Sequence, residues 1–286
     1  MNHFKITRRK LLFSLSAAGC CAATLGYGKL IESQWLATDS VTCRIKGKPL
    51  PEPVRILHMS DLHVSKAVPL SFIDEAVRLG LSLEPDIICL TGDYVTGRGF
   101  DMTRYAAVLK KLSDAAPTFG VVGNHDGGEW LALHRGGFPD CKQIFKLLDK
   151  SGIECLHNRS TSVTIKGRPL TLAGLGDIST RNIYPRRAFE KVHDDGETPI
   201  VLLAHNPDSK FILKPHDFDL MLCGHTHGGQ IAVPFLGPPF SGVADRNFIH
   251  GLNAWDGRWI YITRGVGSIS GIRFSCRPEV SLVSLV

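Results

Sequence analysis

Six short apolar runs are the feature that most limits the folds open to this chain of 286 residues. Each run is mostly apolar at consecutive positions, so neither face of a strand built from it would suit contact with water. Runs of this kind are typical of strands buried between two layers of structure. They cover residues 54–59, 86–90, 118–122, 200–204, 220–223 and 259–263.

Longer amphipathic segments between these runs predict helices. In residues 71–83 the apolar side chains recur at helical spacing, Ser71 is placed to cap the first turn, and Pro85 follows the end. Residues 101–115 and 141–148 show the same pattern. Strand and helix therefore alternate through the first half of the chain, as they do in α/β proteins.

The second half of the chain adds a hairpin pattern. Residues 161–165 and 170–173 read as strands joined around 166–168. Together with the alternation before them, these strands predict an α/β sandwich in which helices cover the sheets. The last forty residues return to strand-like patterning, and we expect them to close the second sheet.

Composition excludes several classes of protein. The chain is 43% hydrophobic and 21% charged, which is sufficient for a folded core and excludes a disordered chain or a collagen-like repeat. Only one uncharged stretch approaches the length of a membrane span, which excludes a polytopic membrane protein. The net charge is +6, but the first 30 residues hold five basic residues and no acidic one, so the remainder is close to neutral. We therefore expect no nucleic-acid binding.

The basic leader resembles a twin-arginine export signal, because Arg8 and Arg9 precede a modest apolar stretch. A Sec signal and an uncleaved membrane anchor remain alternatives, since residues 11–28 could just span a bilayer. Residues 1–30 are therefore predicted to be a signal or anchor, followed by a polar linker at 31–53. We expect export from a bacterial cytoplasm by the twin-arginine machinery, to a periplasmic or membrane-anchored location.

Five short polar motifs follow the ends of the apolar runs. They are Asp61-Leu62-His63, Gly92-Asp93, Gly123-Asn124-His125-Asp126, His205 within Ala204-His205-Asn206-Pro207, and Gly224-His225-Thr226-His227. The carboxyl ends of strands in α/β sheets are where ligands bind, so loops from five strands can converge there. Carboxylate, imidazole and amide groups together form a mixed oxygen and nitrogen site suited to Mn, Zn or Fe.

These motifs, in this order and spacing, resemble those of the calcineurin-like metallophosphoesterase superfamily. The match runs from Asp61 to His227 and all five blocks are intact. The resemblance implies an αββα sandwich of two mixed β-sheets flanked by helices, with a dimetal site at the strand C-terminal ends. It also implies that residues 54–286 form one phosphoesterase domain.

Carried over position by position, the resemblance implies a ligand set for two divalent cations. One cation would be held by Asp61, His63 and His227, and the other by Asn124, His205 and His225, with Asp93 bridging them. The two cations would share a water that they make acidic enough to act as hydroxide. His125 would be left free to bind the phosphate or to protonate the leaving oxygen. Asp126 would orient either His125 or a ligand.

One position departs from the purple acid phosphatase branch of the superfamily. That branch requires a Tyr three residues after the aspartate of the Gly-Asp motif, to bind ferric iron, whereas this chain has Thr96 there and its Tyr94 comes one residue after Asp93. We therefore expect divalent, exchangeable metals.

The predicted function is hydrolysis of phosphate esters by metal-activated hydroxide, with diesters as the expected substrates. An alternative is a pyrophosphatase that cleaves a nucleotide-linked lipid such as UDP-diacylglucosamine, because a membrane-proximal leader would bring such a substrate within reach. A third possibility, of a different class, is a catalytically silent binding module. The complete ligand set and an intact His125 argue against it.

Overall fold

Two six-stranded sheets form the centre of the computed structural model, which describes residues 8–48 and 50–286. The first sheet contains, in sheet order, β1 (Ala37–Cys43), β12 (Glu279–Leu285), β2 (Val54–Met59), β3 (Ile87–Thr91), β4 (Thr118–Val121) and β5 (Glu154–Cys155). Strands β2 to β5 run parallel to one another, and β12 pairs antiparallel with β2 and parallel with β1. This sheet is therefore mixed.

The second sheet is also mixed. Its order is β10 (Gly251–Trp255), β11 (Arg258–Ile262), β9 (Leu220–Cys223), β8 (Ile200–Leu203), β7 (Arg168–Gly174) and β6 (Arg159–Ile165). Strands β11, β9, β8 and β7 are parallel, while β10 and β6 pair antiparallel at the two edges. The hairpin predicted around residues 166–168 is the β6–β7 pair.

Helices cover both outer faces. Helices α2 (Leu70–Leu81), α3 (Met102–Ala115) and α5 (Lys142–Lys150) pack on the first sheet, and α6 (Pro185–Ala188) packs on the second. The other described helices are α1 (Arg8–Leu30), α4 (Glu129–Arg135) and short 3-10 helices at Glu32–Gln34, Pro207–Ile212 and His227–Gly229. In β2, Ile56 packs into the apolar layer between the sheets, whereas Leu57 packs against the helices of the first sheet. Both faces of the strand are thus buried, as its apolar run predicted, and the αββα sandwich is confirmed.

Two local predictions need correction. Ser71 does not cap α2, because that helix begins one residue earlier and its capping residue is Pro69, which offers no side-chain bond. The last forty residues do not all join the second sheet. Strand β12 inserts into the first sheet between β1 and β2.

Part of the segment predicted as a linker, residues 31–53, is a strand. Strand β1 pairs along its whole length with β12, from Ala37 opposite Glu279 to Cys43 opposite Leu285. Its side chains alternate between partly buried and exposed and are mostly small and polar, so the sequence carries no apolar run there. The strand forms because β12 offers an edge with unpaired backbone groups.

Helix α1 contains the described part of the leader, and Thr7 lies outside the described residues. Across residues 8–48 and 50–286, the structure contains no helix with both the length and the apolarity needed to cross a membrane. The C-terminal end of α1 contacts the domain, since the Arg273 amide donates to the Gly28 carbonyl at 3.1 Å. The Tyr27 ring also meets Phe274 edge to face, with centroids 6.4 Å apart.

Candidate metal centre

The polar motifs converge because the strands that precede them are parallel neighbours. Three motifs follow β2, β3 and β4 in the first sheet, and two follow β8 and β9 in the second. The carboxyl ends of all five strands lie at one edge of the sandwich. All seven predicted metal ligands meet there, and their assignment to individual cations remains a prediction.

One group of donors consists of Asp61, His63 and His227. The Nε2 atoms of the two imidazoles are 3.1 Å apart. Asp61 Oδ1 lies 3.3 Å from His227 Nε2 and 3.8 Å from His63 Nε2. All three side chains are buried, so their lone pairs face one another out of contact with bulk water.

A second group consists of Asn124, His205 and His225. Asn124 Oδ1 lies 2.8 Å from His225 Nδ1 and 3.1 Å from His205 Nε2, and the two nitrogens are 3.3 Å apart. Asp93 Oδ2 lies between the groups, 3.5 Å from His63 Nε2 and 3.2 Å from His205 Nε2. Asp93 is therefore the carboxylate placed to serve both sides.

This set of donors fits two divalent cations. Each group brings nitrogen and oxygen lone pairs to a common point, and a shared carboxylate would offset part of the positive charge of both cations. Asp61, His63 and His227 form one buried cluster with the spacing of metal ligands, and Asp61, Asp93 and His205 form another.

Hydrogen bonds to the outer ring nitrogens set the direction of the imidazoles. His205 Nδ1 donates to the Thr91 carbonyl at 2.7 Å, and His225 Nε2 donates to the Gly242 carbonyl at 3.1 Å. Because these outer nitrogens carry the protons, the inner nitrogens keep the lone pairs that a metal requires. His63 Nδ1 lies 3.0 Å from the hydroxyl of Thr96, the residue that stands where a purple acid phosphatase would need Tyr.

Burial keeps three of the four candidate imidazoles in their neutral form. It lowers the pKa of His63 to about 3, that of His225 to about 4 and that of His227 well below the usual value. Burial alone would also lower the pKa of His205, but Asp93 beside it holds that pKa well above the usual range. Burial raises the pKa of Asp61 to about 6. Burial alone would also raise the pKa of Asp93, but His205 beside it holds that pKa well below the usual range. Neutral imidazole and ionised carboxylate are the forms that bind a cation.

The backbone at the strand ends is left-handed at five of the seven predicted ligands. The φ angles are 53° at Asp61, 49° at His63, 55° at Asp93, 70° at His225 and 52° at His227. Such angles cost about 1–3 kcal/mol each for residues other than glycine. Bonds between loops offset this cost, since the Asp61 and His63 amides donate to the carbonyls of Gly92 and Asp93, each at 2.9 Å.

Glycine precedes several predicted ligands because the loops pass very close to one another. A Cβ atom on Gly123 would overlap the Asp93 carboxylate, and one on Gly224 would overlap Ser60 and the Asp61 carboxylate. Only glycine allows this approach. The glycines of the motifs therefore serve the packing of the site.

Asp126 supports the backbone of the site. Its fully buried carboxylate accepts hydrogen bonds from the amides of Asp93 at 2.8 Å, Tyr94 at 2.7 Å and Gly123 at 2.7 Å. Of the two predicted roles, the geometry favours positioning of a ligand, because these bonds join the Asp93 loop to the loop that carries Asn124. No hydrogen bond between Asp126 and His125 occurs among the described residues.

His125 lies at the mouth of the site. Its ring meets His63 edge to face with centroids 5.0 Å apart, and its amide donates to Asp93 Oδ1 at 2.7 Å. Its Nδ1 has no hydrogen-bond partner in the described part of the chain. The ring borders a cavity of about 400 Å³, which is lined by Asn124, His125, Gly128, Glu129, Leu131 and Ser179–Arg181.

Asp177 was missed in the sequence. It follows β7, is buried, and has one carboxylate oxygen without a hydrogen-bond partner among the described residues. Burial raises its pKa, while His205 draws it down, which places it in the electrostatic field of the site. The signal was present, because Gly176-Asp177 after an apolar strand repeats the pattern of Gly92-Asp93.

Comparison with known proteins identifies the class. The family model of calcineurin-like phosphoesterases matches residues 54–229. The chain therefore belongs to the calcineurin-like phosphoesterase family, as its motifs predicted, and it is a phosphoric ester hydrolase.

Individual relatives extend the similarity beyond the motifs. Phosphodiesterase YaeI of Escherichia coli strain K12 is 40% identical, over 98% of this chain and 100% of that protein. The UDP-2,3-diacylglucosamine pyrophosphatase LpxG of Chlamydia trachomatis is 26% identical, over 80% of this chain and 83% of that protein. The uncharacterized metallophosphoesterase YkuE of Bacillus subtilis is 27% identical, over 98% of both chains.

Proposed function

We propose that the protein is a dimetal-dependent phosphodiesterase. The observation that carries this proposal is the position of Asp93, whose Oδ2 lies within 3.5 Å of imidazole nitrogens from both donor groups. The similarity to phosphodiesterase YaeI over the whole length of that protein supports diesters as substrates. Two divalent cations would supply Lewis-acid stabilisation of the phosphate and a nucleophile derived from water at neutral pH.

Different side chains would bind the two cations and the substrate. Asp61, His63 and His227 would hold one cation, Asn124, His205 and His225 the other, and Asp93 both. The ring of His125 borders the cavity and lies outside both donor groups, so it would be available to bind the phosphate or to donate a proton to the leaving oxygen. The cavity beside His125 would receive the part of the ester that leaves.

The metals are proposed to be Mn, Zn or Fe in the divalent state. Four imidazoles with two carboxylates and one amide oxygen form a borderline donor set, and no thiolate is part of either group. Thr96 in place of a tyrosine removes the phenolate that a ferric site of the purple acid phosphatase type would need.

A pyrophosphatase acting on a nucleotide-linked lipid is the second candidate. Similarity to LpxG supports it, at lower identity than the similarity to YaeI. A silent binding module is disfavoured because a scaffold would have no need for seven converging donors or for left-handed backbone at five of them.

Activity with defined metals tests these proposals. The protein would be stripped with a chelator, reloaded with Mn, Zn or Fe, and assayed on a nitrophenyl monoester, a nitrophenyl diester and UDP-diacylglucosamine. We expect about two metals per chain and the highest kcat/KM for the diester. Preference for the lipid-linked pyrophosphate would establish the second candidate, and full activity of the stripped protein would rule out metal dependence.

We also propose that the leader directs export by the twin-arginine route, to a periplasmic or membrane-attached location. The supporting observation is the pair Arg8 and Arg9, both exposed at the start of α1. Replacing both with Lys should leave the protein in the cytoplasm with its fold unchanged, because a receptor reads these residues and the core does not contain them. Cell fractionation measures this, with Arg104→Lys as a control. Export at the normal level would point to a Sec signal or an anchor.

A further inference from the structure

An apolar loop follows the last metal-binding motif. We define it as residues 231–240, and it lies within a stretch, 231–244, that contains no charged residue. Phe235 is fully exposed, Leu236 is 84% exposed and Phe240 is 82% exposed. Large apolar side chains grouped in this way on a soluble surface mark an interaction site.

The tip of the apolar loop has a defined conformation. The Gly237 amide donates to the Val233 carbonyl at 2.8 Å, and the Val233 amide donates back to the Gly237 carbonyl at 3.0 Å. Phe235 stands inside this closed turn with φ of 66°, a left-handed angle that bulky residues rarely adopt. The turn therefore keeps the Phe235 side chain exposed, although the φ angle of this residue is unfavourable for a bulky side chain.

The apolar loop is attached to the metal centre at its base. Pro238 packs so closely on Gly229 that a Cβ atom there would overlap it. Just beyond the loop, the Gly242 carbonyl accepts the hydrogen bond of His225 Nε2 at 3.1 Å. Whatever the tip binds is consequently held near the site.

The surroundings of the apolar loop are apolar and basic. Ile231 pairs with Phe274, and the ring of Phe274 contacts Tyr27 of α1, so the start of the loop and the end of that helix both contact one residue. Leu25, Leu30 and Trp35, in and beyond α1, are each more than half exposed. Exposed Lys29 and Arg246 add positive charge, and the nearby acidic Asp245 is already paired with Lys210 at 3.0 Å.

We propose that the apolar loop inserts into the surface of an anionic phospholipid bilayer and so holds the metal centre at the membrane. A protruding apolar tip can insert into a lipid bilayer without a preformed site, whereas a protein partner would need a groove of matching shape. The positive charge of Lys29 and Arg246 complements anionic headgroups. The apolar loop and Arg246 lie outside the leader, and the proposal does not depend on which ester is hydrolysed.

Vesicle binding by the full chain tests the proposal. Wild type and the double variant Phe235→Asn with Leu236→Ser would be sedimented with vesicles of phosphatidylglycerol and phosphatidylethanolamine, and with vesicles of phosphatidylcholine alone. Asn tolerates positive φ, so the variant should keep its fold. We expect the double variant to bind the anionic vesicles about tenfold or more weakly, because two apolar side chains leave the bilayer. Wild type should bind phosphatidylcholine more weakly.

Leu133→Ser is the matched control, because Leu133 is 80% exposed on α4, outside the apolar loop. Its vesicle binding should equal that of wild type. All variants should hydrolyse a soluble nitrophenyl diester at the wild-type rate, which separates this test from that of the catalytic function. Equal vesicle binding by wild type and the double variant would overturn the proposal. So would a wild-type dimer that the double variant dissociates without any change in vesicle binding.

Discussion

At the scale of single residues, Asp93 connects the two donor groups of the site. Its Oδ2 faces His63 on one side and His205 on the other, and its Oδ1 accepts the His125 amide at 2.7 Å. One carboxylate therefore sets the distance between the donor groups and the position of the adjacent histidine.

Replacing Asp93 with Asn should remove the bridge while keeping the size of the side chain. We expect metal content to fall from about two per chain toward one, and diester turnover to fall by more than about 100-fold, since even indirect supports of a metal site are worth 10–100-fold. Metal analysis and steady-state kinetics measure both. Asp256→Asn is the control, because Asp256 also has a positive φ, of 51°, but lies in a turn between β10 and β11. Two metals and normal turnover in Asp93→Asn would contradict the bridging role.

His125 allows metal binding and proton transfer to be separated. Its ring lies beside His63 but outside both donor groups, so His125→Ala should retain about two metals. General acid catalysis is worth about 10²–10⁴-fold, and we expect a loss of that size on an alkyl diester. The loss should be smaller on a nitrophenyl diester, whose leaving group departs unprotonated. Equal losses on both esters would assign phosphate binding to His125, and lost metal would make it a ligand.

At the scale of elements, the strands and helices form the framework of the site, and the loops at the carboxyl ends of the strands carry the candidate ligands. Helix α3 is an example, because it packs on the first sheet beside α2 and α5 and begins at a clear side-chain cap. The Asp101 carboxylate accepts from the amides of Thr103 at 2.9 Å and Arg104 at 3.1 Å. The stability of this helical layer can therefore be changed without altering the candidate metal ligands.

Asp101→Ala should lower the free energy of unfolding by about 1 kcal/mol, the usual cost of removing such a cap. Urea unfolding followed by circular dichroism measures the change, and diester turnover should stay at the wild-type level. Asp114→Ala is the control near the other end of the same helix. Asp114 is exposed and its ion pair in the described part of the chain is with Lys110, so its removal should cost less than about 0.5 kcal/mol. Equal effects of the two substitutions would show that the cap contributes nothing specific.

At the scale of the whole molecule, a buried polar network joins the two sheets. Glu279, in β12 of the first sheet, accepts from Tyr261 at 3.1 Å and Thr263 at 3.0 Å, at and just beyond the end of β11 in the second. It also pairs with Arg264. Burial alone would raise the pKa of Glu279, but Arg264 holds it below the usual value.

Because the pKa of Glu279 is lowered in the folded protein, we expect the free energy of unfolding to fall as the solution is acidified. Stabilisation by Glu279 should be fully present above the unfolded value of about 4.3 and be lost as pH falls through the folded value. Glu279→Gln should lower the free energy of unfolding at pH 7 by about 1–3 kcal/mol, less than for a fully enclosed pair because Arg264 reaches water. Below pH 5, the free energy of unfolding of this variant should also fall less steeply with pH than that of wild type.

Urea unfolding at pH 7 and at pH 4 measures both effects. Glu154→Gln is the control, because Glu154 pairs with Arg159 on the surface and should contribute little at either pH. An unchanged acid profile in Glu279→Gln would contradict the assignment of the network.

The sequence by itself determined the buried strands and the ligand-bearing motifs. Both are local patterns: consecutive apolar residues require burial on two faces, and a glycine beside a carboxylate or imidazole marks a tight turn at a strand end. The runs at 54–59 and 220–223 match β2 and β9 at both ends, and each of the other four differs from its strand by one residue at one or both ends. The α/β sandwich follows from these patterns, and the resemblance of the motifs to the calcineurin-like superfamily implies the family and the seven candidate ligands.

Tertiary structure alone decided which strands pair and which side chains meet. Strand β1 has no apolar run and exists through its pairing with β12, a partner more than 200 residues away in the chain. Likewise, Asp126 serves three amides from two loops, and Asp93 lies between two groups of donors only because the sheets face each other at one edge. Such contacts depend on the order and direction of distant strands, and no local pattern in the sequence encodes them.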